Sequence, residues 1–107
     1  MTVYEMGKYW LLHTLETYRD TPPDTMQKKF IDNLINVSRH AVENEQERRY
    51  HNLIVLRYII DTQPSFQRIC AALRTSRNKS NFERVTDEAI DRLLVLAFGL
   101  NGINWGE

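Results

Sequence analysis

The chain has 107 residues, 42% of them hydrophobic and 26% charged, with only four Gly and three Pro; that composition supports one buried core and excludes a disordered or low-complexity chain. Fourteen basic and fourteen acidic side chains cancel to a formal net charge of +0, so whole-chain charge makes no case for a polyanionic partner. The single cysteine, Cys70, excludes an internal disulfide and any multi-cysteine zinc site, and it fits a reducing compartment.

The opening residues carry Glu5 and Lys8 in place of the basic-then-apolar pattern of a secretory leader, and no apolar run reaches membrane-spanning length. A cytoplasmic location with no membrane partner is expected. Over residues 3–18, Val3, Met6, Trp10, Leu11, Leu15 and Tyr18 recur at roughly helical spacing, which predicts an amphipathic helix. Trp10 is expected in the core; the alternative use of Trp10 with Tyr4, Tyr9 and Tyr18 is an aromatic surface for a protein partner.

Pro22 and Pro23 stop this helix, because Pro23 holds Pro22 out of the helical region, and Pro23 or Asp24 is suited to open the next one. From 24 to 43, Met26, Phe30, Leu34, Val37 and Ala41 form an apolar stripe flanked by Ile31, Ile35 and Val42. Lys28, Lys29, Asp32 and Arg39 fall largely elsewhere, as on a surface helix. Residues 43–49 are strong helix formers without Gly or Pro, and their pattern allows either a continued helix or a bend.

The block 50–60 is β-branched and aromatic enough to suggest a strand, but its length, its helical flanks and the lack of a partner strand predict a buried helix. Pro64 ends it and Ser65 caps a short helix over 65–74 with Phe66, Ile69, Cys70 and Leu73 on one face. That setting makes Cys70 an inert core thiol. Ser80 and Glu83 have the spacing of a capping box, predicting a helix from 81 to about 98 through Phe82, Val85, Ala89, Leu93 and Leu96, stopped by Gly99. The expected fold is all-α, a single compact bundle of about five helices over residues 1–107, with scaffold or interface helices in 1–47, a helix-turn-helix-like unit in 48–98 and a Gly- and Asn-rich tail in 99–107.

Groups spaced for catalysis are missing from the sequence. His13, His40 and His51 fall on three different predicted helices without metal-ligand spacing, and neither a Gly-rich phosphate loop nor a nucleophile elbow is present. No enzymatic activity, metal or cofactor is expected. Charge is more informative locally than globally. Residues 66–84 hold five basic side chains and one acidic, a local excess of +4. The bland account of that excess is a solvated interhelical loop.

The order within residues 50–94 is a long apolar helix with Arg57-Tyr58, a break, a short helix with Ile69 and Leu73, a turn with Ser76, and a helix containing Ala89-Ile90 and Leu93. This resembles the sigma-factor region-4-like helix-turn-helix domains, and among them the phage ArpU and RinA families of late-gene transcription regulators, over under half of the chain. The chain differs from that pattern by about two added residues between Ser76 and Ala89, which would turn a helical face by roughly 200°; a cap at Ser80 absorbs them in the turn.

The resemblance implies a DNA-binding transcriptional regulator of phage or mobile-element type whose last long helix enters the major groove. Asn81 and Arg84 would then reach base edges, Arg74, Arg77 and Lys79 would meet phosphates, Asn78 would lie in the same turn, and Ser80 would cap the helix and contact a phosphate. RNA polymerase or another host protein, and a two-fold homodimer, are the further partners to consider. The alternative is a small helical protein-interaction module, an inhibitor or adaptor that binds no DNA.

Overall fold

A computed structural model of the chain describes residues 1–99, so the expected tail at 100–107 lies outside the described residues. Five α-helices follow one another: α1 (Val3–Glu16), α2 (Met26–His40), α3 (Glu45–Ile54), α4 (Phe66–Leu73) and α5 (Lys79–Phe98). Each starts on a short polar residue in extended conformation whose side-chain oxygen accepts a backbone N–H of the first turn. The caps are Thr2 for Glu5, Thr25 for Lys28, Asn44 for Glu47, Ser65 for Arg68 and Asn78 for Asn81. Such a cap satisfies a donor that the helix cannot, a contribution of about 1 kcal/mol each.

Two of these starts correct the sequence-based boundaries. The second helix opens behind Thr25, whose N–H and hydroxyl both donate to the Pro22 carbonyl at 3.2 and 2.9 Å, so the chain completes a turn before helix begins. The last helix is capped by Asn78, at least as good a cap as Ser, and Ser80 falls inside the first turn. The α4–α5 connection is thereby five residues, 74–78. Between α2 and α3 the chain bends: Ala41 closes α2 on the Val37 carbonyl at 2.9 Å and Asn44 is extended at φ −152°.

The block that resembled a strand is helical. It forms the end of α3 and then a π-helical turn, Val55–Ile59, closed by Ile60 N–H on the Val55 carbonyl at 3.1 Å. Arg19, in a 3₁₀ turn after α1 (Tyr18–Asp20), donates Nε to the Ile60 carbonyl at 2.7 Å and ties the two ends together. Helix α5 is the centre of the bundle, with α1, α2 and α3 packed on it. Its residues Ala89, Ile90, Leu93 and Leu94 are buried against Leu11, Leu15, Ile31, Leu53 and Cys70 in a continuous core. Gly99 ends it in the left-handed conformation at φ 69°, as the Gly-terminated pattern predicts.

The apolar stripe of α2 is turned relative to expectation. Ile31, Leu34 and Ser38 face the core, whereas Met26 is 84% exposed and Val37 40% exposed. Trp10 is likewise not a core residue: it stands 39% exposed, edge-on to Phe30 at 5.4 Å and to Phe98 at 6.2 Å. Ion pairs tie the first two-thirds of α5 to its neighbours. Lys8 of α1 meets Asp87 and Asp91 at 2.7 and 3.0 Å, and Arg57 meets Glu83 at 3.1 Å and Thr86 at 2.9 Å. Among the described residues no helix is long and apolar enough to cross a membrane.

Candidate nucleic-acid interface

The basic segment singled out in the sequence occupies the end of α4, the connecting turn and the first turns of α5. Arg74 takes the left-handed position that ends α4 (φ 54°, ψ 44°), with its N–H on the Ala71 carbonyl and the Thr75 N–H on that of Cys70 at 3.0 Å. The following turn is organised by Ser76, whose Oγ accepts from Asn78 N–H at 3.2 Å. Arg74, Arg77, Asn78, Lys79 and Ser80 are all exposed. The Lys79 ammonium sits 4.7 Å from the Phe66 ring centroid and 5.9 Å from that of Phe82, a cation–π arrangement that holds its charge near this surface.

Left-handed backbone disfavours a residue with a Cβ by about 1–2 kcal/mol, a cost Gly does not carry. Glycine also loses more chain entropy on folding, about 0.4–1 kcal/mol. Arg74→Gly is therefore expected to leave the urea midpoint unchanged or raise it slightly while removing one cation from this surface. A clear fall in the midpoint would show that the Arg74 side chain holds the turn.

Folding adds arginines that lie far away in sequence. Arg48 and Arg49 of α3 line a cleft with Arg74, Arg39 of α2 and Arg48 line the next, and Arg49 and Arg84 lie on a third. The result is a band of basic side chains running from α2 across α3 to the α4–α5 turn, with Glu45 and Glu88 on two of its clefts. Arg48 faces Glu45 loosely at 3.8 Å and Arg84 pairs with Glu88 at 2.8 Å. Among the described residues, no carboxylate lies within ion-pair distance of Arg39, Arg49, Arg74, Arg77 or Lys79.

The two residues expected to read base edges are engaged within the protein. Arg84 donates Nη2 to Asn81 Oδ1 at 2.7 Å and Nη1 to Glu88 Oε2 at 2.8 Å, and Asn81 Nδ2 reaches Thr75 Oγ1 at 3.4 Å. Tyr50 extends this chain by donating to Glu88 Oε1 at 2.9 Å and accepting from Gln46 Nε2 at 2.7 Å. Ser80, expected to cap the helix, leaves that role to Asn78 and presents its hydroxyl in the first turn. The arginines that the charge window missed, Arg39, Arg48 and Arg49, carried no local signal because Glu43, Glu45 and Glu47 surround the latter two in sequence.

No family model matches the chain, and searches of curated proteins and of solved structures likewise found no match. The chemistry available to this surface follows from its own residues. Exposed guanidinium groups with no internal carboxylate partner are suited to bidentate hydrogen bonds with phosphate.

Proposed function

We propose that the chain is a nucleic-acid-binding protein that engages the phosphate backbone through the arginine band of α2, α3 and the α4–α5 turn. The resemblance of residues 50–94 to phage helix-turn-helix regulators supports DNA as the target and transcriptional regulation as the setting. One observation carries the proposal: Arg39, Arg49, Arg74, Arg77 and Lys79 lie without ion-pair partners among the described residues of a chain whose net charge is +0. In random surface charge, cations and carboxylates intermix.

Phosphate neutralisation releases counterions, so five such contacts would weaken binding by about 10²–10³-fold between about 50 and about 200 mM salt. Fluorescence anisotropy with a labelled DNA duplex and with a labelled single strand measures this. Arg49→Ala and Arg77→Ala should each weaken binding and reduce the salt slope by about one. Retention of full affinity by the Arg49→Ala, Arg74→Ala, Arg77→Ala triple variant would overturn the proposal.

A second reading, a protein-interaction module, is favoured by the far end of α5. There Val3, Met6, Gly7 and Phe98 line an almost wholly apolar depression, and Tyr9 is 72% exposed nearby in α1. Exposed apolar surface of this kind suits a host protein such as RNA polymerase, or a second copy of the chain. One stoichiometric partner retained after nuclease treatment, and lost on Met6→Lys, would support it.

A further inference from the structure

Beneath the arginine band, α3, the end of α4 and the first half of α5 enclose a pocket of about 210 Å³. Its floor is apolar, made by Leu53, Leu73 and Phe82, which are at most 7% exposed, with Val85 beside them. Its rim is polar: Gln46, Tyr50, Thr75, Asn81 and Glu88 surround it, and Arg49 and Arg84 stand at its mouth. We propose that this pocket receives one unstacked nucleobase, with an adjoining phosphate held by Arg49, so that the protein binds single-stranded nucleic acid in preference to duplex. The proposal rests on nucleic-acid binding by the basic band and specifies what that band delivers to the protein.

Size limits the occupant. A cavity of about 150 Å³ holds a benzene ring, and pockets for drug-sized ligands begin near about 300 Å³. A volume of about 210 Å³ lies between these, which suits one planar ring system and not a whole nucleotide cofactor. The lining sorts planar rings further. A ring buried on Leu53 and Phe82 would bring its edge to the rim, where an occupant without polar edge groups would desolvate amides and a carboxylate without replacing their partners. A nucleobase carries donors and acceptors in its plane.

The rim has capacity to meet them. Gln46 gives one amide proton to Tyr50, which leaves its second proton and its carbonyl oxygen for a ligand. The Asn81 amide spends one of its two protons on a long 3.4 Å contact with Thr75, which a closer acceptor can displace. Arg49 has no carboxylate within ion-pair distance among the described residues, so its charge is available to a phosphate next to the base. A neutral aromatic side chain from a protein partner would use neither the edge groups nor this charge.

The strand preference follows from access. In a duplex the bases are stacked and paired, and delivering one to a pocket requires flipping it out, whereas a single strand offers its bases at much lower cost. The same pocket then turns the Asn81–Arg84–Glu88 chain from a reader of groove edges into the wall of a base site.

The test is anisotropy of the full chain with labelled oligonucleotides of about twelve nucleotides, a length within the range one small domain covers. Three probes are compared at one salt concentration: a single strand, its duplex, and the same single strand made abasic throughout. The expected result is about tenfold tighter binding of the single strand than of either other probe, the scale of one base contact. Val85→Phe, which fills the pocket and keeps every charge, should abolish that difference while retaining salt-dependent binding of duplex; far-UV circular dichroism confirms its fold. Equal affinity of the wild-type chain for the single strand and the abasic strand overturns the base pocket and leaves the basic band standing. Absence of binding to all three at low salt overturns both. Tighter binding of an acidic, tryptophan-bearing peptide than of any oligonucleotide assigns the pocket to a protein partner and also overturns the proposal.

Discussion

Leu94→Ala is expected to lower the unfolding free energy by about 3–5 kcal/mol, measured by urea denaturation followed by circular dichroism. Leu94 is 0% exposed and lies on α5, the helix on which α1, α2 and α3 converge. Removing its isopropyl end deletes contacts to several elements at once, and a bundle held from several sides cannot collapse into the gap. The loss is a large fraction of the about 5–15 kcal/mol typical of a domain. The neighbouring Val95 is 47% exposed, so Val95→Ala should fall within about 0.5 kcal/mol of wild type. Similar losses for the two variants would contradict the central position of α5.

Ser38→Ala should cost about 1–3 kcal/mol despite removing one oxygen, because it takes a hydrogen-bond partner from both His51 and Arg92. Ser38 is 0% exposed, and its Oγ lies 2.7 Å from Arg92 Nη1 and 2.9 Å from His51 Nδ1; Arg92 Nη2 also meets the Ser38 carbonyl at 3.0 Å. Three helices, α2, α3 and α5, join at this point. A guanidinium can only donate. The Ser38 oxygen therefore accepts from Arg92, and its contact with His51 Nδ1 joins the third helix to the same point.

This hub also sets a pH dependence. Burial holds the His51 pKa below its ordinary 6.5, and the charges of Arg92 and Arg39 push in the same direction. Glu47, one turn before His51 on α3, acts on Arg92 in the opposite sense. A lowered folded-state pKa means that the unfolded chain binds the proton more readily, so the stabilisation is complete above pH 6.5 and is lost as pH falls toward the folded-state value. The urea midpoint should accordingly be lower at pH 5.5 than at pH 7.5 for the wild type, with a smaller difference for His51→Gln. An equal difference in the two proteins would remove His51 as the cause.

Local patterns in the sequence were enough for the helices themselves. Apolar spacing over 3–18, 65–74 and 81–98 marked α1, α4 and α5, and Ser65 and Gly99 act as the boundary residues their chemistry favours. Where several good caps stand close together, local chemistry does not choose among them. Asn78 and Ser80 compete for one helix start, and the outcome at Asn78 shortens the turn by adding Lys79 and Ser80 to α5. The choice between a bend and a continued helix at 43–49 was similarly open until Asn44 was seen in extended conformation.

Most of the candidate site was legible in the same way. Arg74, Arg77, Asn78, Lys79, Ser80, Asn81 and Arg84 form one charge window because they are neighbours in the chain. Arg39, Arg48 and Arg49 were not legible, since nearby glutamates neutralise Arg48 and Arg49 in any linear window. Only the packing of α2, α3 and α4 brings them alongside Arg74.

What the sequence determined by itself was the helical class, the helix ends marked by Ser65 and Gly99 and the burial of Cys70, because each follows from patterns within a few turns of one helix. The tertiary structure decided which faces meet. It left Trp10, Met26 and Val37 exposed although they sit at apolar positions, and it gathered Ser38, His51 and Arg92 into one hub. It also formed the pocket between α3 and α5. The physical reason is that helical periodicity records that a residue has an apolar or charged side, whereas partnership between residues on different helices exists only once the helices have packed.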